Sequence, residues 1–195
     1  MSLAKWQQKY ATASLPQPAC WLLREYQSRL PQQGLALDVA CGLGGNAVLL
    51  AEAGLQVDAV DYASTALHKL ADYAAQRQLP IRCQQRDLEA DGLPPDAAGR
   101  YAVIVVSYYL HRPLLCTLGA ALQPGGLLFY QTFNTRRRHQ RGPSNAHFLL
   151  TAGELAEQFA GFDILLNRED LDLQGEEYAL QSAFIARKPS SAITR

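Results

Sequence analysis

Three aspartates stand where an apolar run gives way to a polar or glycine-rich one: Asp38, Asp61 and Asp87. Asp38 is followed by Val39-Ala40-Cys41-Gly42-Leu43-Gly44-Gly45-Asn46-Ala47. Glycines at a strand-to-helix turn let a ligand approach the backbone and the amino terminus of the helix. Asp61 lies nineteen residues beyond Gly42, where a carboxylate can accept hydrogen bonds from both hydroxyls of a ribose. Asp87 sits in Arg86-Asp87-Leu88, placed to accept from an adenine amino group while Leu88 packs on the ring. Ala40, Cys41, Gly42, Gly44, Asn46, Tyr62 beside Asp61, and Ser107 at the end of a fourth run complete this candidate nucleotide site. Short acids at strand ends also cap loops and helices, which explains any one of the three equally well. All three at the ends of successive strands, with glycines after the first, favour a nucleotide.

Asp38 bears on which nucleotide. Gly42, Gly44 and Ala47 also satisfy the dinucleotide pattern GxGxxG/A, so an NAD or FAD domain is a competing reading. A carboxylate just before the glycines is unfavourable near a pyrophosphate but attracts the ammonium of a methionine moiety. On the acceptor side, His111 follows the fourth run and is the candidate general base, with a capping or packing role as its equal alternative. Tyr108, Tyr109 and Arg112 flank it as pocket candidates. Arg136, Arg137 and Arg138, with His139 and Arg141, crowd a later loop. They are either a solvated charged loop or a rim that recruits an anionic acceptor through bidentate arginines.

These residues need an α/β frame. From Leu35 onward, short apolar runs alternate with helical segments, the pattern of right-handed crossovers and a parallel sheet. The expected strands are Leu35–Val39, Gln56–Val60, Ile81–Gln84, Ala102–Ser107 and Leu127–Phe133, each nearly continuously apolar. Gly45–Ala53 and Ser64–Arg77 read as helices, the second with Ser64 as N-cap and Ala66, Leu67, Leu70, Tyr73 and Ala74 facing the core. Asn134–Leu150 reads as a long polar loop, and Thr151 with Glu154 as a capping box opening a helix through Phe159. Two more strands, Phe162–Glu169 and Tyr178–Arg187, follow before a tail from Ser190, and Ala19–Leu30 reads as a helix ahead of the first strand.

At 195 residues, 48% apolar and 18% charged, the chain suits one globular domain. Eighteen basic residues balance eighteen acidic ones, so no global field draws it to nucleic acid. MSLAKWQQKY lacks a signal-peptide core, and no apolar run approaches the roughly 20 residues that span a bilayer, so a cytoplasmic protein is expected. Cys20, Cys41, Cys83 and Cys116 are widely spaced, which argues for reduced thiols rather than zinc or disulfides.

Over residues 35–188 the chain resembles the class I S-adenosylmethionine-dependent methyltransferases, through ALDVACGLGGNAVLLAEAG, AVDYAS, RDLEADGLP and LQPGGLLFYQTF in the family's order. It is most similar to the compact bacterial group with tellurite-resistance and thiopurine-type members. The resemblance implies a single Rossmann-like three-layer sandwich. Its mostly parallel seven-stranded sheet would have an antiparallel last strand, with S-adenosylmethionine across the carboxyl ends of strands one to four. It also implies a cofactor-covering segment over residues 1–34, beginning with Trp6 and Tyr10, ahead of the domain at 35–188 and a tail at 189–195. Cys41 in the glycine motif departs from the family pattern. So does Ser107-Tyr108-Tyr109-Leu110-His111-Arg112-Pro113, standing where amide-nitrogen and exocyclic-base methyltransferases carry Asn/Asp-Pro-Pro-Tyr/Phe. A small-molecule acceptor is therefore expected and nucleic acid is not. The competing readings are an NAD(P)-dependent oxidoreductase and an RNA-associated methyltransferase or binding module, the latter resting on the arginine-rich loop alone.

Overall fold

The computed structural model describes residues 3–136, 143, 145–173 and 180–190. The strands are β1 (Leu35–Val39), β2 (Gln56–Asp61), β3 (Ile81–Gln85), β4 (Tyr101–Ser107), β5 (Leu122–Phe133), β6 (Asp163–Leu171) and β7 (Gln181–Arg187). Around them lie α1 (Leu3–Thr12), α2 (Trp21–Glu25), α3 (Gly45–Glu52), α4 (Ser64–Arg77), α5 (Arg112–Ala121) and α6 (Glu154–Gln158). One 7-stranded sheet runs in the order β3-β2-β1-β4-β5-β7-β6. β1 to β5 pair in parallel, and β7 is antiparallel to both β5 and β6. The α/β class and the antiparallel last strand are thus as expected.

Side-chain alternation splits the core in two. On β1, Ala36 faces one side while Leu37 and Val39 face the other. The first side is covered by Leu22 and Leu23 of α2, Ala47 and Leu50 of α3, and Leu67 and Leu70 of α4. Leu114 and Leu118 of α5 with Leu155 of α6 and the adjoining Phe159 cover the second. Asp38 shares the face of Ala36 and is thereby aimed at α3. A small third cluster gathers Trp6, Tyr10, Leu43, Ala63 and Ala66, where α1 lies across the glycine loop and the start of α4.

Several local expectations need correction. Strand β3 is not continuously apolar, because it is the sheet edge: Ile81 and Cys83 are half-buried, while Arg82 is exposed and pairs with Asp58 of β2 at 2.8 Å. Strand β5 begins at Leu122 rather than Leu127, since Gly126 lets the strand pass the Tyr101 carbonyl where a Cβ would sit at 2.9 Å. The expected helix from Ala19 to Leu30 is only α2 followed by a 3₁₀ turn at Gln27–Arg29, the tightening common at helix ends. Ser64 is the first residue of α4 and does not cap it. Asp61 instead accepts from the Ala63 N–H at 2.8 Å, and the Ser64 hydroxyl accepts from Gln7. The capping box is half made. Thr151 donates through both N–H and hydroxyl to the Glu154 carboxylate, each at 2.9 Å, while left-handed Gly153 precedes the helix. Tyr73 is only half-buried, unlike Ala66, Leu67, Leu70 and Ala74.

In the expected polar loop, Asn134 bridges to Leu150 and Ala146–Phe148 forms a 3₁₀ turn. Arg137, Arg138, His139 and Arg141 lie outside the described residues, as do Tyr178 and most of the expected tail. No helix among the described residues is long and apolar enough to cross a membrane.

Candidate active site

The chain runs outward from β1 through β2 to β3, then returns to lay β4 against the other side of β1. Such a reversal opens a crevice at the carboxyl ends of the strands. Asp38, Asp61 and the Ser107–Tyr109 turn all come to this edge at the ends of β1, β2 and β4, and Asp87 follows β3.

The glycine loop is wound tightly. Ala40, Gly42 and Gly44 all have positive φ (54°, 52° and 75°), and at Ala40 a Cβ is carried in a region that normally favours glycine. A Cβ added at Gly42 would stand 2.8 Å from the Tyr10 hydroxyl, and one at Gly45 2.6 Å from the Pro18 carbonyl. The residues ahead of α2 and those of α1 therefore lie directly on the loop. The Cys41 thiol is buried and pushed well up by desolvation, with Asp38 and Asp61 adding to the rise, so it stays protonated. Burial likewise pushes Cys20 up to about 12. Neither thiol is an activated nucleophile.

Asp38 is fully buried. One carboxylate oxygen accepts from the Ala47 N–H (3.0 Å) in the first turn of α3, and the other accepts from the Asn46 amide (3.3 Å). Asn46 also donates to the Ser107 hydroxyl (2.8 Å) and accepts from the Cys20 N–H (2.9 Å), which joins β1, α3, β4 and α2. Burial pushes the Asp38 carboxyl up to about 7, against the pull of its hydrogen bonds from Asn46 and Ala47. Asp61 is tied similarly: its oxygens accept from the Gly42 and Ala63 N–H groups, each at 2.8 Å, and burial raises its pKa. It anchors the glycine loop and the turn that leads into α4 at once. A carboxylate offers about four lone-pair sites, so Asp61 retains capacity for ribose hydroxyls.

Asp87 is exposed, and one of its oxygens accepts from the Glu89 and Ala90 N–H groups at 3.0 and 3.3 Å. Leu88 beside it packs into the second core. Tyr62 is half-buried, and burial and the charges of Asp61, Glu89 and Asp87 raise its pKa. Trp6 and Tyr10 stack with centroids 5.3 Å apart above the loop. The Tyr109 hydroxyl is buried without a hydrogen-bond partner among the described residues, and burial and the nearby charges of Glu89, Asp87 and Asp61 raise its pKa. An orphaned donor among carboxylates fits a ligand that carries hydroxyls and ring nitrogens, as a nucleoside does.

On the acceptor side, Tyr108 is left-handed (φ 55°) and 47% exposed, and its hydroxyl accepts from Gln131. His111 precedes α5, and its imidazole makes no hydrogen bond among the described residues. Arg112 is committed within the protein. It grips both Glu154 oxygens (2.7 and 3.0 Å) and donates to the His147 and Leu149 carbonyls. Arg136 lies 3.6 Å from Glu169. The sequence reading missed Gln131, Gln181, Arg24 and Lys69. The first had a signal, an amide inside the apolar run LLFYQTF that proves fully buried. The others had none in local pattern.

Residues 36–126 match the methyltransferase domain model. The chain is 29% identical over 164 residues to "Hemagglutinin 1" of Eikenella corrodens, covering 78% of this chain and 54% of that protein. It is 31% identical over 121 residues to the ubiquinone biosynthesis O-methyltransferase of Methylobacterium nodulans, covering 59% and 47%. The chain therefore spans about half the length of these curated relatives. The crystal structure of TehB from Haemophilus influenzae superposes with a TM-score of 0.71 at 19% identity, over 94% of this chain and 65% of that one. Residues 36–126 thus match a methyltransferase domain, and the superposition shows a fold shared with TehB.

Proposed function

We propose that this chain moves the methyl group of S-adenosylmethionine to a small, anionic acceptor by in-line displacement. The observation that supports this best is the convergence of Asp38, Asp61 and the orphaned Tyr109 hydroxyl on one crevice beneath a left-handed glycine loop. The inserted antiparallel β7 departs from the all-parallel 3-2-1-4-5-6 order of dinucleotide domains, which weighs against the NAD reading of the glycine pattern.

The cofactor supplies an electrophilic methyl group on a sulfonium centre. The protein's task is to align the acceptor and exclude water. Asp38, with Asn46 and Ser107, provides the negative end for an ammonium group. Asp61 accepts from ribose hydroxyls, Tyr109 and Asp87 face the base, and Tyr62 flanks them. Trp6 and Tyr10 shield the glycine loop, with the backbone of Ala40, Cys41, Gly42 and Gly44 beneath. For an acceptor that arrives as a hydroxyl or thiol, His111 takes the proton. Arg136, with Arg137 and Arg138 beside it in sequence, adds positive charge to the rim. The helix α1 serves as the cover, and the residues from α2 onward belong to the catalytic body. A cytoplasmic location belongs to the same proposal, supported by the free thiols of Cys20, Cys41, Cys83 and Cys116.

Isothermal titration of the chain with S-adenosylmethionine, S-adenosylhomocysteine and NADH tests the reading. Both adenosyl ligands are expected to bind, Asp61→Asn to weaken them about tenfold or more through its lost charge-assisted hydrogen bonds, and NADH to give no heat. Binding of NADH alone would overturn the assignment.

A further inference from the structure

A chain of amide groups runs beneath the acceptor side of the crevice, and its polarity can be read from one end. The Leu22 N–H, which can only donate, gives its hydrogen to Oε1 of Gln131 at 2.8 Å. The Gln131 amide is thereby oriented, and its Nε2 donates to Oε1 of Gln181 at 2.7 Å and to the Tyr108 hydroxyl at 3.2 Å. Gln181 is 1% exposed, and with its oxygen turned to Gln131, its Nε2 has no acceptor among the described residues. The Tyr108 oxygen already accepts a hydrogen bond, so its own O–H is left to donate.

Tyr108 is held in this role at some cost. Its left-handed backbone is fixed by an N–H bond to the Gln131 carbonyl at 2.8 Å, and its ring leans on Phe133 at 5.6 Å. Strained, exposed aromatic residues beside a crevice are characteristic of ligand contacts. Burial raises the Tyr108 pKa, with the Cys20 thiol adding to the rise and the adjacent Gln181 amide and the Arg24 guanidinium opposing it. Among the described residues, Arg24 makes no ion pair or side-chain hydrogen bond, and no carboxylate acts on Tyr108. The corner thus offers O–H, N–H and positive charge, with no carboxylate of the described residues to satisfy them.

We propose that Tyr108 and Gln181, oriented by Gln131 and backed by Arg24, form the subsite that recognises a carboxylate on the methyl acceptor. This rests on the small-anion reading above and gives it a location. Buried donors without partners discriminate strongly, because an analogue lacking the oxygen leaves them desolvated and unpaired. The rings of Tyr108 and Phe133 supply an apolar wall beside the donors, which suits an aromatic or short aliphatic acid.

Benzoate and benzamide, titrated into the full chain saturated with S-adenosylhomocysteine, serve as probes. Benzoate is expected to bind at least tenfold tighter than benzamide. Tyr108→Phe, which removes one O–H and leaves the ring, and Arg24→Ala should each weaken benzoate about tenfold, with S-adenosylhomocysteine affinity unchanged. Absent benzoate binding, or benzoate binding indifferent to both substitutions, overturns the subsite while leaving the cofactor reading intact. If Arg24→Ala weakens S-adenosylhomocysteine instead, the charge serves the cofactor's own carboxylate and the assignment is overturned. Failure of S-adenosylhomocysteine itself to bind would be a failure of the broader reading, visible before either probe is added.

Discussion

Asp38 joins two roles that its position alone left as alternatives. It caps the first turn of α3 through Ala47 and, through Asn46 and Ser107, reaches the edge where the ligand would lie. Its carboxyl, ordinarily at 3.8, is pushed by burial to about 7. The folded, ligand-free protein therefore retains a proton that the unfolded chain releases, so its stability should fall as pH rises from about 4 through about 7. An ammonium group reverses the preference by favouring the ionised form. Cofactor affinity should rise with pH from 5.5 to about 7, by up to about tenfold per unit, with proton uptake by the buffer. Titration at pH 6 in two buffers of different ionisation enthalpy measures that proton. An affinity flat in pH, with no proton released, would remove Asp38 from the ligand's surroundings. Chemistry-bearing residues at strand ends, such as Asp38, Asp61 and Ser107, were legible because the apolar runs place them. Arg112 was equally visible, but its pairing with Glu154, distant in sequence, was not.

Among the elements, α1 shows where pattern reading ends. None of its residues is buried, and it is held by side chains from far along the sequence. The Gln7 amide donates to Ser64 and its oxygen accepts from the Thr65 N–H, while Trp6 and Tyr10 pack on Leu43, Ala63 and Ala66. Lys69 of α4 closes the arrangement by donating to the carbonyls of Tyr10, Ala11 and Ala13, each at 2.8 Å, a cationic cap on the carboxyl end of α1. In the sequence, Lys69 is one more charge on the outer face of an amphipathic helix. The bounds of α4 were legible from its apolar spacing, but the partner of its polar face was not. Lys69→Met should free α1 without touching the sheet. The expected result is faster amide exchange confined to residues 3–12 and about tenfold faster release of S-adenosylhomocysteine, with the global melting temperature nearly unchanged. Equal release rates in the two proteins would show that α1 does not gate the crevice.

At the scale of the whole molecule, the boundary between cover and body does not fall at residue 34. Leu22 and Leu23 are both 0% exposed within the first core, together with Leu50, Phe129 and Ile185. The Cys20 and Leu22 N–H groups supply the buried oxygens of Asn46 and Gln131. Residues 19–34 are therefore part of the fold that the apolar strands begin, and only α1 lies outside it. Removing residues 1–14 should leave a cooperatively unfolding protein with weakened cofactor binding. Removing 1–34 strips two core leucines, at about 1.5–3 kcal/mol each, and leaves two buried amide oxygens unpaired, at about 1–3 kcal/mol each. A loss of about 5–12 kcal/mol matches or exceeds much of the stability of an ordinary domain, about 5–15 kcal/mol. The longer truncation should accordingly bind anilinonaphthalene sulfonate and lose its near-ultraviolet circular dichroism while keeping helical signal. The shorter one should give a single sharp denaturant transition. If residues 35–195 instead unfold cooperatively within about 2 kcal/mol of the full chain, α2 is an appendage and the amide chain from Leu22 through Gln131 to Gln181 is dispensable to the fold.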